Sequence, residues 1–234
     1  MRQVIVCLVL IVLFAAPVDG CIGARYAGLG WCGVAVADDA TASYWNPAAL
    51  VWASDGFVYD SIYNRTAFAV KRGKYALHYC DEWNKIYFDI SRGFQINENS
   101  AWGLSVGYYY AKQFSFYCSY RGITPSVSYY HKISPALSFG VLLQGMCNLR
   151  PGVCYKNERL LVSIEYYDLL DVYELQNFHA GVEIYLLDLT LRIGYDRDVL
   201  RYGLGIKNKK CTFDAYWENN SSLQDTLYFG ISLP

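Results

Sequence analysis

The residues able to do chemistry are few and scattered. His78, His131 and His179 stand on separate segments, none with a ligand-type partner at i+2 or i+4, so their spacing offers no metal site. No nucleophile elbow, phosphate-cradling GxxxxGK or HExxH occurs. The glycines of GLGWCG are not followed by a βαβ unit, so they read as close packing and not as a dinucleotide loop. The carboxylates Asp89, Glu165, Glu183 and Asp214 sit among the cations Arg192, Arg201 and Lys71, and the expected role is a structural charge network. No catalytic residue, metal or cofactor is assigned, and the chain is not read as an enzyme.

Cys21, Cys32, Cys80, Cys118, Cys147, Cys154 and Cys211 contain no CxxC pair. Cys147 and Cys154 flank Pro151-Gly152, which reads as a turn, and could pair in an oxidising compartment; isolated buried thiols are the alternative. Formal net charge is −1, and the densest basic cluster, Lys207, Lys209 and Lys210, has no interleaved aromatic, which leaves nucleic-acid binding without support. The sequons at Asn64 and Asn219 matter only in a glycosylating host.

The elements carrying these residues are strands. Leu189, Leu191, Ile193 and Tyr195 alternate with Thr190, Arg192, Gly194 and Asp196; Leu200, Tyr202, Leu204 and Ile206 then alternate with Arg201, Gly203, Gly205 and Lys207. Turn punctuation predicts fourteen strands, near 56–64, 66–72, 75–82, 85–96, 101–111, 114–120, 124–133, 136–147, 157–168, 176–186, 188–197, 199–207, 209–218 and 224–233, with twelve as the alternative count. No helix-rich region or second domain is expected.

Arg2, the apolar run Val4 to Ala16 and the small residues before Cys21 match a secretory signal over 1–20. Ordinary cleavage there is expected, with lipidation of Cys21 as the alternative. Aromatic residues make up 17% of the chain against 18% charged, a balance that suits a surface meeting lipid headgroups. A soluble sandwich would show outward faces of Lys, Glu and Thr. The polar faces here hold Gly, Ser, Tyr and charges of both signs, as a barrel lumen does, so the apolar faces are expected to meet lipid.

One stretch lacks alternation: GARYAGLGWCGVAVADDATASYWNPAAL, residues 23–50. Asn46-Pro47 reads as the N-cap and first residue of a short helix, and Asp38 or Asp39 as the start of an earlier turn. This stretch resembles the N-terminal signature of FadL-like outer-membrane barrels, which include long-chain fatty-acid transporters and PorV/PorQ-type secretion proteins. Residues 182–217, with LRIGY and GLG strands, look like that family's closing hairpins.

The resemblance implies an all-β, fourteen-stranded transmembrane antiparallel barrel over 56–234 in the bacterial outer membrane, preceded by a hatch over 21–55 that folds into the lumen. Asp38, Asp39, Asn46, Pro47 and Ala48 would then set hatch geometry, and Asp89, Glu165, Glu183, Arg192, Arg201 and Asp214 the lumen network. The implied function is passive passage of a hydrophobic small molecule. The alternative is a non-conducting barrel that docks an envelope or secretion partner. The chain departs from the family in leaving little length for long outer loops and in ending Phe229-Gly230-Ile231-Ser232-Leu233-Pro234.

Overall fold

The computed structural model describes residues 22–62, 65–82, 85–112, 119–145, 148–169, 177–218 and 226–234. The expected signal segment, Cys21, Cys147 and the asparagines of both sequons lie outside them. The strands are β1 Gly56–Ile62, β2 Arg65–Arg72, β3 Tyr75–Glu82, β4 Lys85–Gln95, β5 Ser100–Lys112, β6 Ser119–Lys132 and β7 Leu137–Gln144. They continue as β8 Asn148–Lys156, β9 Leu160–Tyr166, β10 Phe178–Leu186, β11 Leu189–Asp196, β12 Val199–Lys207, β13 Thr212–Glu218 and β14 Thr226–Leu233. Each pairs antiparallel with its sequence neighbours, and β1 pairs with β14 through Phe57–Leu233 and Ser61–Phe229, which closes the barrel and removes every sheet edge.

The barrel is inverted relative to a soluble one. Val106 is 61% exposed and Ile193 53% exposed on the outer wall, while Asp89, Glu183 and Arg150 are wholly buried inside. Backbone groups facing hydrocarbon must be satisfied within the structure, and a closed antiparallel ladder does that with no helix. Among the described residues no helix is long and apolar enough to cross a membrane.

The strand count equals the expected fourteen, but two assignments change. The strand expected at 124–133 begins earlier, as β6 from Ser119, and residues 114–118 of the strand expected at 114–120 lie outside the described residues. Pro151-Gly152 is no turn: it lies within β8, with Val141 opposite Pro151 and Gly140 opposite Gly152. β8 is therefore a strand where none was expected, and the strands expected at 136–147 and 157–168 are each shorter at both ends, as β7 and β9. A proline is tolerated in a strand where its missing N–H is not needed. Pro151 lies one residue outside the β8–β9 ladder, which starts at Gly152, and Pro125 lies one residue outside the β6–β7 ladder, which starts at Ser126. Cys154, on the inner face of β8, is a free, buried thiol.

Inside the barrel lie two helical turns, α1 Ala24–Gly28 and α2 Ala42–Trp45, and a 3-10 helix, Pro47–Val51. Their core is aromatic: Trp45 stacks on Tyr26 at 5.1 Å and on Trp31 at 6.2 Å and meets Tyr44 edge-on at 5.0 Å. Glycines let this segment approach the wall. A Cβ on Gly103 would lie 2.2 Å from the Ala48 nitrogen, and one on Gly194 would lie 2.0 Å from the Gly30 nitrogen. Gly30 itself has φ 66°, which favours glycine.

Substituting Gly103→Ala is therefore expected to cost about 1–3 kcal/mol of overpacking and to loosen the interior segment without opening the barrel. Gly152→Ala, whose Cβ would meet nothing closer than 3.4 Å, should leave both intact. Limited proteolysis within residues 22–55, measured beside heat-modifiable gel mobility, checks the pair.

Candidate functional site

The segment from Ile22 to Asp55 plugs the lumen, and its seam with the wall is the candidate site. Its helices are too short to satisfy their own donors, and orphan N–H groups buried in a lumen need partners. The wall supplies carboxylates. Asp60 on β1 accepts from the backbone N–H groups of Gly23 and Ala24. Oε2 of Glu165 on β9 accepts from Gly33 at 2.8 Å and Val34 at 2.9 Å, while Oε1 receives the Arg150 guanidinium from β8.

Around Asn46-Pro47 the contacts are neutral. The Asn46 Oδ1 accepts from Ala48 N–H at 3.1 Å, so Asn46 caps the 3-10 helix with Pro47 as its first residue. Asn46 Nδ2 donates to Val34 O at 2.8 Å within the plug and to Tyr129 O on the wall at 3.1 Å. Ala48 N–H also reaches Ser128 Oγ at 2.9 Å. Ser91 Oγ donates to Ser43 O, and Ser138 Oγ to Ala35 O, each from wall to plug.

Arg25 joins plug and wall ionically. It donates to Asp38 at 2.5 Å and, through Nε, to Glu183 on β10 at 2.7 Å. Asp38 in turn takes Lys156 of β8 at 2.6 Å. Glu183 also receives Arg192, which extends to Asp214 at 2.7 Å. Asp39 accepts from both the N–H and the hydroxyl of Thr41, forming the turn that enters α2, with Arg25 3.7 Å away.

The expected charge network thus divides. Glu183, Arg192 and Asp214 share one cluster with the plug's Arg25. Glu165 pairs with Arg150, and Arg201 with Asp196 and Glu218. Among the described residues Asp89 binds no arginine or lysine: it holds His78 Nδ1 at 3.0 Å and the Ser91 hydroxyl at 2.8 Å. Lys71 pairs with Asp55, where the plug leaves for β1. Arg25, Asp60 and Arg150 were not singled out from the sequence. Arg150 was hidden by reading its neighbourhood as a turn, and Asp60 by the weak alternation of β1; inward register at Asp60 and Arg150 was the available signal. Of the other histidines, His179 meets Gly30 O at 2.8 Å and His131 meets Ser100 Oγ at 2.8 Å. Among the described residues no cluster of three metal-type ligands forms.

The two plug aspartates titrate in opposite directions. Burial alone would raise Asp38, but the charges of Arg25 and Lys156 outweigh it and hold its carboxyl well below the usual range. Burial and the neighbouring Asp38 charge push Asp39 up to about 6, against the partial opposition of Arg25 and Thr41. At the plug-side rim, where β1 begins and β14 ends, a polar cleft of about 510 Å³ exposes this charge cluster, and a second of about 310 Å³ runs along the seam between Trp52, Ala53, Tyr130 and Leu137.

The closed fourteen-stranded antiparallel barrel is similar in fold to several solved structures. The solved structure of the Pseudomonas putida toluene transporter TodX superposes with TM-score 0.61 at 10% identity, covering 94% of this chain and 97% of that one. The CymD monoaromatic hydrocarbon channel gives 0.59 at 12% identity over 90% and 95% of the two chains. A Pseudomonas aeruginosa FadL homologue gives 0.51 at 10% identity over 94% and 98%. No family model and no curated protein matches the sequence.

The pKa directions make a signed prediction. Asp39 is raised above its unfolded value near 3.9, so its protonation contributes stability that is complete below about pH 4 and is lost as pH rises through about 6. Asp38 is lowered, so its contribution is present above about pH 4 and is lost on further acidification. Asp39→Asn should therefore melt higher than the native chain at neutral pH and converge with it near pH 4. Asp38→Asn should melt lower at neutral pH. Thermal unfolding in one detergent across that range checks both, and a D39N curve parallel to the native one would contradict the assignment.

Proposed function

We propose that this chain is an outer-membrane channel for passive passage of hydrophobic small molecules, gated by movement of the Ile22–Asp55 plug as a hatch. The observation that carries the reading is the seam itself. The plug is bound to the wall by hydrogen bonds and ion pairs reversible in water, at Asp60, Glu165, Glu183, Ser128 and Lys156, with glycine-lined contacts that need little rearrangement to part. Diffusion needs no cofactor, only an apolar route that a shifted plug exposes, including a sideways path into lipid. The fold shared with a toluene transporter and a monoaromatic hydrocarbon channel supports hydrophobic solutes as the class carried.

In this reading Asp38, Asp39, Asn46, Pro47 and Ala48 fix the closed hatch. Lys156 and Glu183 hold it at the mouth, and the signal over 1–20 delivers the chain to the membrane. A second reading has its own support: the plug is thoroughly buried and the lumen densely filled, as suits a non-conducting barrel whose plug-side rim docks an envelope partner.

Deleting residues 23–50 is expected to raise the flux of toluene-like solutes through reconstituted barrels at least severalfold, with Arg25→Ala giving a smaller rise. Liposome uptake assays measure both. Flux unchanged by the deletion, together with a stoichiometric protein recovered on gentle solubilisation, would favour the docking reading.

A further inference from the structure

The outer wall carries a charged row beside the plug-side rim. Arg72 on β2 is the register partner of Tyr75 on β3, and Tyr75 that of Arg92 on β4, so the three side chains share the outward face, and all are exposed. The Arg92 guanidinium lies over the rings of Tyr75, at 4.9 Å, and Phe94, at 4.6 Å. Phe94 is itself stacked on Trp102 at 4.4 Å. Rings on the flat faces of a guanidinium orient it and leave its N–H edge free.

The inward arginines Arg25, Arg150, Arg192 and Arg201 each hold a carboxylate. Arg72 and Arg92 have none within 4.0 Å among the described residues. An arginine on the lipid-facing side of a barrel is costly at mid-bilayer and is accommodated where headgroups begin. The aromatic girdle marks the same level.

We propose that Arg72, Tyr75 and Arg92 form an external site for the phosphate of an anionic phospholipid in the leaflet at the plug-side rim. β2 and β4 stand two strand spacings apart, about 10 Å, a separation that two arginine side chains bridge by converging on one phosphate above Tyr75. Each guanidinium donates a pair of N–H bonds to phosphate oxygens and the Tyr75 hydroxyl donates a further one. Val70, Ile90 and Leu104, exposed beside the row, offer the apolar wall along which acyl chains lie. That flank is why a lipid fits better than an acidic protein: Arg72 and Tyr75 close the β2–β3 ladder just beneath the Gly73-Lys74 turn, where the apolar outer wall begins. The proposal rests on the membrane reading above but not on conduction.

The test uses the full chain in phosphatidylcholine nanodiscs containing about one-fifth phosphatidylglycerol, with native mass spectrometry of the lipids retained after extraction. Two juxtamembrane charges predict enrichment of phosphatidylglycerol by roughly 10- to 30-fold. R72Q/R92Q should fall to parity while keeping heat-modifiable mobility, and K209Q/K210Q, on the β12–β13 turn, should keep the enrichment. If the double variant does not fold, R72Q and R92Q separately are each expected to lose about fivefold. Equal retention of both lipids by the native chain, enrichment unchanged in the arginine variants, or displacement by millimolar inorganic phosphate overturns the lipid site while leaving the barrel standing. Failure to enter nanodiscs of any composition overturns the membrane reading with it.

Discussion

The structure depends on one constraint: a segment with almost no regular secondary structure is enclosed by a wall whose own backbone groups are already paired. Its orphan N–H groups must be met by wall side chains, and an ionised carboxylate is the strongest acceptor available. Asp60 and Glu165 each meet two successive N–H groups. A buried carboxylate then demands a cation, since an uncompensated charge in a lumen is far more costly than a paired one. Arg150 therefore lies against Glu165, and Arg25 and Arg192 against Glu183. The lumen charges follow from the plug, and the plug's position follows from them.

Small residues complete the fit. Wall glycines at 103, 140, 181 and 194 all approach plug backbone, so the wall is shaped to this segment and not merely wide enough for it. The seam is polar at its bonds and small at its contacts. Such a joint is specific when closed, and parting it exposes groups that water can solvate at the mouth, where Asp38, Asp39 and Lys156 already line a cleft. In the proposed channel, this combination lets one segment serve both as a structural filling and as a hatch.

Much of this was legible in the residues. Period-two alternation at 189–207 placed Arg192, Gly194, Asp196 and Arg201 on one face, and they face inward. Asn46-Pro47 announced a capped helical turn, because few other residue pairs accept an N–H and dispense with one in succession. Legibility failed where a local signal has two meanings. Pro151-Gly152 has the chemistry of a turn, yet a strand accommodates it because the neighbouring ladder begins one residue later; that register is a long-range property. The same misreading concealed Arg150, and with it the partner of Glu165.

By itself, then, the sequence determined the inverted barrel, the approximate strand count and the existence of a non-strand segment ahead of it, because alternation, turn residues and caps act over a few neighbouring positions. Only the tertiary structure decided which charges meet. Asp89 turned to His78 and Ser91, Lys71 to Asp55, and Arg25 to both Asp38 and Glu183. Asp89–His78 follows from hairpin register, whereas Arg25–Glu183 joins residues 158 positions apart in the chain and arises from closure of the barrel around the plug, which no local pattern encodes.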